Sequence, residues 1–344
     1  METDFRMAIL NRKIITCTGY GGTGSSAITD LLKEFDCGLS MGDAEFWFLQ
    51  DYDGISDLEY FLIDGNHRSK VSLAIERYIK YIQKNNSFYS KIFATNFIKY
   101  SNEYIESLID ARFKKALSYY EVDNNFLRVW HFKIYPRLQL LARKILRQNT
   151  FEFSPYIPLI NKTYSIPDRS RFYKKTKKYT HNLFNLLDVD NKYKFLAFDQ
   201  LVPTTNISRY LNYVENMKVV VVDRDPRDLY LLNEIQWKGA SYVCDTSNVY
   251  EYIDWYKTMR LHRKSEKKSD NILYIMIEDL IYNYEKTLNK LYKFLDLTEE
   301  EHTHKRKHFN PEISITWTRL WEKNPNYTHQ VKIIEEQLSE YCYN

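Results

Sequence analysis

Glycine and cysteine are both scarce in this chain, and long apolar runs are missing. Only nine of the 344 residues are glycine, well below the typical ~7%. The four cysteines are scattered with no C-x-x-C pair, which argues against a disulfide framework and against a zinc site. No apolar run reaches the roughly 18 residues of a membrane-spanning helix, so the sequence predicts none.

The balance of charged residues argues against one further class of function. Lysine and arginine number 49 against 45 aspartates and glutamates, a net charge of +4. Over so long a chain this charge is too small to indicate a nucleic-acid-binding protein. The N-terminal residues Met1 to Asp4 carry no signal-peptide pattern. We therefore expect a cytoplasmic protein with no nucleic-acid partner and no transmembrane segment.

Periodicity predicts the fold class. An apolar strand at 13–18 leads through a glycine-rich loop into an amphipathic helix at 25–35. Further strands are predicted at 193–198, 218–223 and 272–277, and helices at 226–236, 247–263 and 285–295. Strands that alternate with helices favour an α/β fold with a mostly parallel central sheet flanked by helices. We expect one domain over 1–344, with a long helical insert at 56–190 that covers the ligand cleft.

The glycine-rich loop is the first candidate binding site. Four of the nine glycines fall between Gly19 and Gly24, immediately before the first predicted helix. Glycines in this position let backbone N–H groups turn towards one anion, and serine hydroxyls can add donors. The candidate phosphate-binding residues are Gly21, Gly22, Thr23, Gly24, Ser25 and Ser26. Ser25 stands where a Walker A loop has its lysine, so the pattern does not favour a nucleoside triphosphate.

A second constellation follows the Val219–Val222 run. Arg224 and Arg227 stand at the end of a predicted strand and the start of a helix. Arginine suits planar, bidentate recognition of phosphate, so the pair predicts an anion pocket. Two alternatives stay open: the charges form a surface salt-bridge cluster, or Asp223 ends a Walker B strand and holds magnesium.

The segment Arg-Asp-Pro-Arg-Asp at 224–228 resembles the 3′-phosphate-binding motif of the sulfotransferases that use 3′-phosphoadenosine 5′-phosphosulfate (PAPS). The order also agrees, since a glycine/serine loop precedes this motif by about 200 residues. A third segment, Ile-Glu-Asp-Leu at 277–280 followed by a helix that ends in Phe-Leu at 294–295, is similar to the family's C-terminal strand and helix. The resemblance covers about a third of the chain and none of the insert.

This resemblance implies a three-layer, P-loop-like fold, a PAPS donor and adenosine 3′,5′-bisphosphate (PAP) as product, with no metal. The glycine loop would then hold the 5′-phosphosulfate, and Arg224 and Arg227 the 3′-phosphate. Asn233 would replace a family serine, because Leu232 stands at the serine position. Ser314 and Arg319, in the segment where the family has a further basic loop, are additional candidate ligands.

The chain departs from the family pattern at Gly22, where the family usually has lysine or arginine. The cation that faces the sulfuryl group must then come from elsewhere. The candidates in the insert are Lys99, His131, Lys133 and Arg137.

Related glycan sulfotransferases place a Glu or His base soon after the first helix, which points to Glu45 here, with Asp43 as an orienting group. If Glu45 is buried among its aromatic neighbours, desolvation will raise its pKa towards neutrality. His67 is the second candidate, because the intrinsic pKa of histidine suits acid–base work. The basic clusters at 169–178, 260–268 and 302–308 are interpreted as solvated helix faces.

The sequence thus predicts a sulfotransferase that moves a sulfuryl group from PAPS to a hydroxyl, with a carbohydrate as acceptor. Two alternatives stay open. One is a magnesium-dependent P-loop kinase, and the other is an inactive nucleotide-binding relative that has lost the loop cation at Gly22. The sequence leaves the oligomeric state open.

Overall fold

The computed structural model describes residues 12–343 except 66, 120, 121, 123, 150, 152–155, 158 and 238–243. The chain begins with β1 (Lys13–Gly19), α1 (Ser26–Leu32) and β2 (Gly38–Glu45). The middle elements are α2 (Ile55–Glu59), a π-helical turn (Tyr60–Asp64), α3 (Arg68–Phe93), α4 (Asn96–Leu108), β3 (Ala111–Ala116), α5 (Asn125–Val129), a second π-helical turn (Trp130–Ile134), α6 (Tyr135–Ile145), β4 (Leu159–Tyr164) and α7 (Arg169–Asn185).

The remaining strands and helices are β5 (Phe195–Asp199), α8 (Ile207–Tyr210), β6 (Met217–Asp223), α9 (Pro226–Ile235), α10 (Val249–Arg260), β7 (Ile272–Met276), α11 (Ile277–Tyr282), α12 (Tyr284–Leu295), α13 (Pro311–Ser314), α14 (Leu320–Lys323) and α15 (Thr328–Gln337). Short 3₁₀ turns occupy Leu261–Lys264, Ile315–Trp317, Pro325–Tyr327 and Ser339–Tyr341.

The chain divides into two compact units. One contains the residues up to 51 and those from 180 onward, and the other spans Tyr52–Tyr179. The second unit is built from helices and the antiparallel pair of β3 and β4. The division into one domain with an insert at 56–190 stays a prediction.

The first unit contains a five-stranded, all-parallel sheet in the order β2-β5-β1-β6-β7. The predicted α/β fold class is thus confirmed. The sheet interior is apolar for a direct reason: the four valines of β6 are completely buried, as expected for a strand covered on both faces. One layer of core joins the sheet to α1, α11 and α12, and a separate apolar cluster joins α9, α10 and α15.

Strand β2 was not predicted, because its sequence lacks the β-branched residues that mark a strand. Its pairing depends on Gly38, where a Cβ atom would lie only 2.0 Å from the Phe195 ring of β5. The consequence is that Glu45, the candidate base, ends a strand at the sheet edge. No helix within the described ranges is long and apolar enough to cross a membrane.

A buried ion pair fixes the start of β1. The Arg12 guanidinium lies 2.8 Å from the Asp188 carboxylate, and both side chains are almost fully buried. Asp188 also accepts hydrogen bonds from the backbone N–H groups of Lys192 and Tyr193 just before β5. One residue further on, Lys13 pairs with Asp296 at the same distance, but the Asp296 side chain is exposed.

These two ion pairs give a matched test of burial. We expect Asp188→Asn to lower the free energy of unfolding by about 3 kcal/mol, because it leaves the buried Arg12 charge uncompensated. Asp296→Asn, at an exposed pair, should lower it by less than about 1 kcal/mol. Urea unfolding of both variants measures the difference in unfolding free energy. Equal losses would contradict the conclusion that burial makes the Arg12–Asp188 pair the more important one.

Candidate active site

The carboxyl ends of the parallel strands open into a cleft of about 590 Å³ within the first unit. Ligands bind at this edge in open α/β sheets. The strand order decides what lines it: Glu45 and Asp199 end β2 and β5, the glycine loop follows the central β1, and Arg224 follows β6. Carboxylates therefore stand on one side of the glycine loop and a buried arginine on the other.

One threonine fixes the conformation of the glycine loop. Thr23 Oγ1 accepts a hydrogen bond from the Tyr20 N–H (3.2 Å) and donates one to the Val222 carbonyl of β6 (2.8 Å). Gly21, Gly22 and Gly24 all have positive φ, between 66° and 86°. Glycine adopts this conformation freely, and it lets successive N–H groups converge on an anion. Gly21, Gly22, Gly24, Ser25 and Ser26 line the cleft, whereas Thr23 fixes the loop to β6.

Gly22 has no room for a side chain. A Cβ atom there would lie 2.7 Å from the Trp237 ring, in addition to adopting a φ of +66°. Trp237 itself lines the cleft. Trp237, two residues after the end of α9, therefore occupies the space into which a side chain at position 22 would extend.

Arg224 is a buried cation that forms no close ion pair with any residue the structure describes. Its side chain lines the cleft, the residue is only 7% exposed, and one terminal nitrogen donates to the Trp317 carbonyl. Its Nε has no hydrogen-bond partner, and no ion pair within 4.0 Å forms to Arg224 from the residues the structure describes. Burial lowers the pKa of Arg224, and the charges of Asp228, Glu278 and Asp225 act against that shift.

None of those three carboxyl groups forms an ion pair with Arg224 within 4.0 Å, although the charge of Asp228 acts on it from further away. Asp225 is paired with Arg227 at 2.7 Å. Burial raises the pKa of Glu278 to about 8, so this group is mostly uncharged at neutral pH. Asp228 accepts the N–H groups of Arg319 and Leu320, and burial raises its pKa to about 6. A buried guanidinium with an unpartnered Nε would be stabilised by an anion that binds beside it.

Asp223 is unsuited to hold magnesium. Both of its carboxylate oxygens accept hydrogen bonds from Arg260, the closest at 2.6 Å, and one also accepts from Arg263 at 3.2 Å. Arg260 is fully buried. The Walker B alternative therefore fails on this strand, because the carboxylate is already neutralised by two guanidinium groups.

Three predicted 3′-phosphate ligands do not line the cleft. Arg227 pairs with Asp225 and Glu335, each at 2.7 Å, and stacks on the Trp321 ring. Asn233 is completely buried and donates to the Leu229 carbonyl. Arg319 lies over the Tyr282 ring. Arg227 is thus engaged by side chains of the protein and lies outside the cleft lining, whereas Ser314 lines the cleft.

A basic loop at 305–308 also contributes to the cleft. Arg306, Lys307 and His308 line it. The sequence suggested a solvated helix face here, but the structure has turns, because the segment is wrapped around a buried carboxylate. Glu34 accepts hydrogen bonds from the backbone N–H groups of Arg306, His308 and Phe309 at 2.7–3.0 Å and contacts His302 Nε2 at 2.6 Å.

Three carboxylates lie on the opposite side. Glu45 and Asp199 are register partners at the ends of neighbouring strands, and Asp30 comes from α1. Burial raises the pKa of Asp199 to about 6; the charges of Glu45 and Asp30 add to this, and a hydrogen bond from the Cys17 thiol at 3.1 Å opposes it. Glu45 is exposed, so its predicted burial among aromatic neighbours is absent.

Asp199 and Gln200 were missed by the sequence analysis. Gln200 has a φ of +57° and links the site together: its amide accepts from Thr18 Oγ1 and donates to Ser25 Oγ, both at 3.0 Å. The only sequence signal was that Asp-Gln directly follows a predicted strand. That position places both residues at the same edge as the glycine loop.

The other predicted catalytic residues belong to the Tyr52–Tyr179 unit. His67 is exposed directly before α3, and Lys133 is exposed in the π-helical turn Trp130–Ile134. Their catalytic roles stay predictions. The structure describes the backbone of Asp43 within β2.

No family model and no curated protein matches the chain. Among solved structures, it is similar to the sulfotransferase domain of the Synechococcus PCC 7002 olefin synthase (11% identity, 90% of this chain and 88% of that one, TM-score 0.40). It is also similar to the sulfotransferase domain of the curacin biosynthetic pathway (13%, 95% and 98%, 0.40) and to sulfotransferase STF9 of Mycobacterium avium (10%, 94% and 76%, 0.34). A likeness this weak carries no argument about function. The argument for function rests instead on the residues of the cleft.

The hydrogen bonds from the basic loop at 305–308 to Glu34 predict a contribution to stability that depends on pH. Burial alone would raise the pKa of Glu34, but its hydrogen bonds lower it below the ordinary 4.5. A depressed carboxyl pKa stabilises the fold above pH ~4.5, and this contribution is lost as pH falls through the lowered value. We expect Glu34→Gln to cost about 2 kcal/mol or more of unfolding free energy at pH 7 and clearly less at pH 3.

Urea unfolding at both pH values provides the measurement. Glu299→Gln is the control, because Glu299 pairs with Lys305 of the same loop but at the surface. A Glu34→Gln deficit of equal size at pH 7 and pH 3 would show that the Glu34 charge does not hold the loop.

Proposed function

We propose that this protein transfers a sulfuryl group from PAPS to a hydroxyl group, with a carbohydrate as acceptor. The observation that carries the proposal is Arg224, a buried guanidinium with an unpartnered Nε that lines the cleft beside the glycine loop. Phosphate oxygens accept the parallel N–H groups of a planar guanidinium, so a phosphate group is a favoured partner for Arg224. The resemblance of the surrounding motif to the PAPS-dependent family supports a nucleotide 3′-phosphate as that anion.

The order of the strands supports one orientation of the donor. Arg224 and the basic loop at 305–308 would bind the 3′-phosphate over β6 and β7. The glycine loop, with Ser25 and Ser26, would bind the 5′-phosphosulfate over β1. The sulfuryl group then faces the side of β5 and β2, where the carboxylates stand. The distribution of charge fits this orientation, because cations hold the phosphates and carboxylates face the acceptor.

The reaction needs a base on the acceptor side. The acceptor oxygen forms a bond to sulfur while the bond from sulfur to the bridging phosphate oxygen breaks, and PAP leaves with that oxygen. The hydroxyl proton passes to a carboxylate of the Glu45 and Asp199 pair. Asp199 is the better-tuned member, since a base with a pKa of about 6 is deprotonated at neutral pH and still accepts a proton readily.

The carboxylates also favour a neutral, hydroxyl-rich acceptor. Asp30, Glu45 and Asp199 would repel an anionic acceptor, whereas carboxylate oxygens accept hydrogen bonds from sugar hydroxyls. A kinase fits less well, because Asp223 is already engaged by Arg260 and Arg263. An inactive relative would share the donor site but not the turnover.

Donor binding is tested first. We expect Arg224→Met to weaken PAP binding by 100-fold or more, because it removes a buried charge-assisted hydrogen-bond partner. Arg319→Met is the matched control, since Arg319 was predicted as a ligand but lies outside the cleft lining; it should leave PAP affinity within about threefold. Calorimetric titration with PAP, and with ATP with and without magnesium, measures both.

Magnesium-independent binding of PAP supports the proposal. Binding of ATP that requires magnesium, or an Arg224→Met variant with unchanged PAP affinity, would overturn it. If PAP binds but no glycan in an acceptor panel is sulfated, the inactive relative is the correct hypothesis.

The base is tested through the pH dependence of turnover. We expect kcat to fall as pH drops through about 6, because protonated Asp199 cannot accept the acceptor proton. Asp199→Asn should lower kcat at pH 7.5 by roughly 10²-fold or more with donor affinity unchanged, and Glu45→Gln should have the smaller effect. If Glu45→Gln lowers kcat more than Asp199→Asn does, Glu45 is the base.

A further inference from the structure

The segment 125–145 in the Tyr52–Tyr179 unit is helical throughout, yet none of its residues is buried. It consists of α5, the π-helical turn and α6, all of which the structure describes. At 1.5 Å per residue such a segment is roughly 30 Å long. A helical segment of this length normally buries one face against the rest of a protein.

Its exposed apolar side chains form a line along one side. They recur at intervals of three and four residues, the spacing of one helix face. We call them the apolar stripe: Phe126, Trp130, Ile134, Leu138, Leu141 and Ile145. Their exposed fractions lie between 37% and 72%. Proteins rarely leave a contiguous apolar surface of this kind to water unless it binds something.

A row of cations runs beside the apolar stripe. Lys133, Arg137 and Lys144 each directly precede a member of it, so they lie on the neighbouring strip of the helix surface. Between Asn124 and Asn149 the sequence has six lysines and arginines and no aspartate or glutamate. The segment therefore combines a basic side with an apolar, aromatic-containing side.

We propose that the apolar stripe docks this protein onto the surface of an anionic lipid bilayer. A helix with aromatic and leucine side chains on one face and lysine and arginine on the other lies in the interface of a membrane, where apolar groups enter the acyl boundary and cations meet the headgroups. Trp130 suits this boundary because the indole has an apolar body and a polar N–H group.

The charge pattern favours lipid over a second copy of the chain. Two copies that met through this face would bring twelve cations together with no acidic group from either segment to compensate them. A bilayer offers a continuous anionic plane, which matches a stripe that extends over the whole segment. The docking uses no residue of the cleft, so it holds whether or not the donor is PAPS.

Vesicle binding of the full chain is the test. We expect it to sediment with vesicles that contain about 30% phosphatidylglycerol at least tenfold more strongly than with pure phosphatidylcholine vesicles. High salt should weaken the binding, since surface electrostatics are screened. Trp130 should enter the lipid interface, so the blue shift of tryptophan fluorescence on binding should disappear in Trp130→Phe.

Two double variants separate the apolar and the basic contributions. Leu138→Glu/Leu141→Glu should reduce the partition coefficient at least tenfold, and Arg137→Gln/Lys144→Gln should reduce it about twentyfold, from about fivefold for each cation near an anionic surface. All four side chains are partly or largely exposed, so circular dichroism should show an intact fold. Lys80→Gln/Lys84→Gln, on exposed positions of α3, is the matched control and should bind as the unmodified chain does.

The outcomes divide clearly. Salt-sensitive binding to anionic vesicles that Leu138→Glu/Leu141→Glu removes supports the proposal. Absence of binding overturns it, as does binding that this variant leaves unchanged. A dimer in sedimentation velocity that the same variant dissociates, without vesicle binding, would assign the stripe to a contact between copies and equally overturn it.

Discussion

The central place of β1 in the parallel sheet is the constraint on which the first unit depends. With β5 on one side and β6 on the other, the loop that leaves β1 must rise between the carboxyl ends of both neighbours. Thr23 secures that loop to Val222, and Gln200 links it to β5. The same arrangement separates the charges, with carboxylates over β2 and β5 and the buried Arg224 beyond β6. A ligand with anionic groups at one end and a reacting group at the other fits such a surface.

Three neighbouring arginines in this unit differ in whether a carboxylate pairs with them. Arg260 is fully buried but forms three hydrogen bonds to Asp223, and Arg227 is held by Asp225 and Glu335. Both therefore contribute to the structure of the unit. Arg224 alone among these three has no carboxylate partner. That contrast, rather than the number of basic residues, is why we propose an anion site at Arg224.

Much of the fold could be predicted because β1, β5, β6 and β7 are apolar runs separated by helices, and burial on both faces demands such runs. Strand β2 could not be predicted, since it packs through Gly38 against the Phe195 ring and carries no strand signal of its own. Within the site, the glycine loop and Arg224 were predicted from local motifs. Asp199 was not, because its raised pKa comes from burial and from charges brought close by the fold.

The amino-acid sequence by itself determined where the chain turns, which segments are apolar enough to form the sheet, and which glycines permit the loop. Only the tertiary structure decided which charges are free to bind a ligand. Arg224 and Arg227 stand three residues apart in one motif, yet Glu335 and Trp321, from remote helices, take up Arg227 and leave Arg224 at the cleft. In the same way, Glu34 draws the basic loop at 305–308 into the site. Ion pairing and desolvation act through space, so the order of residues along the chain does not reveal them.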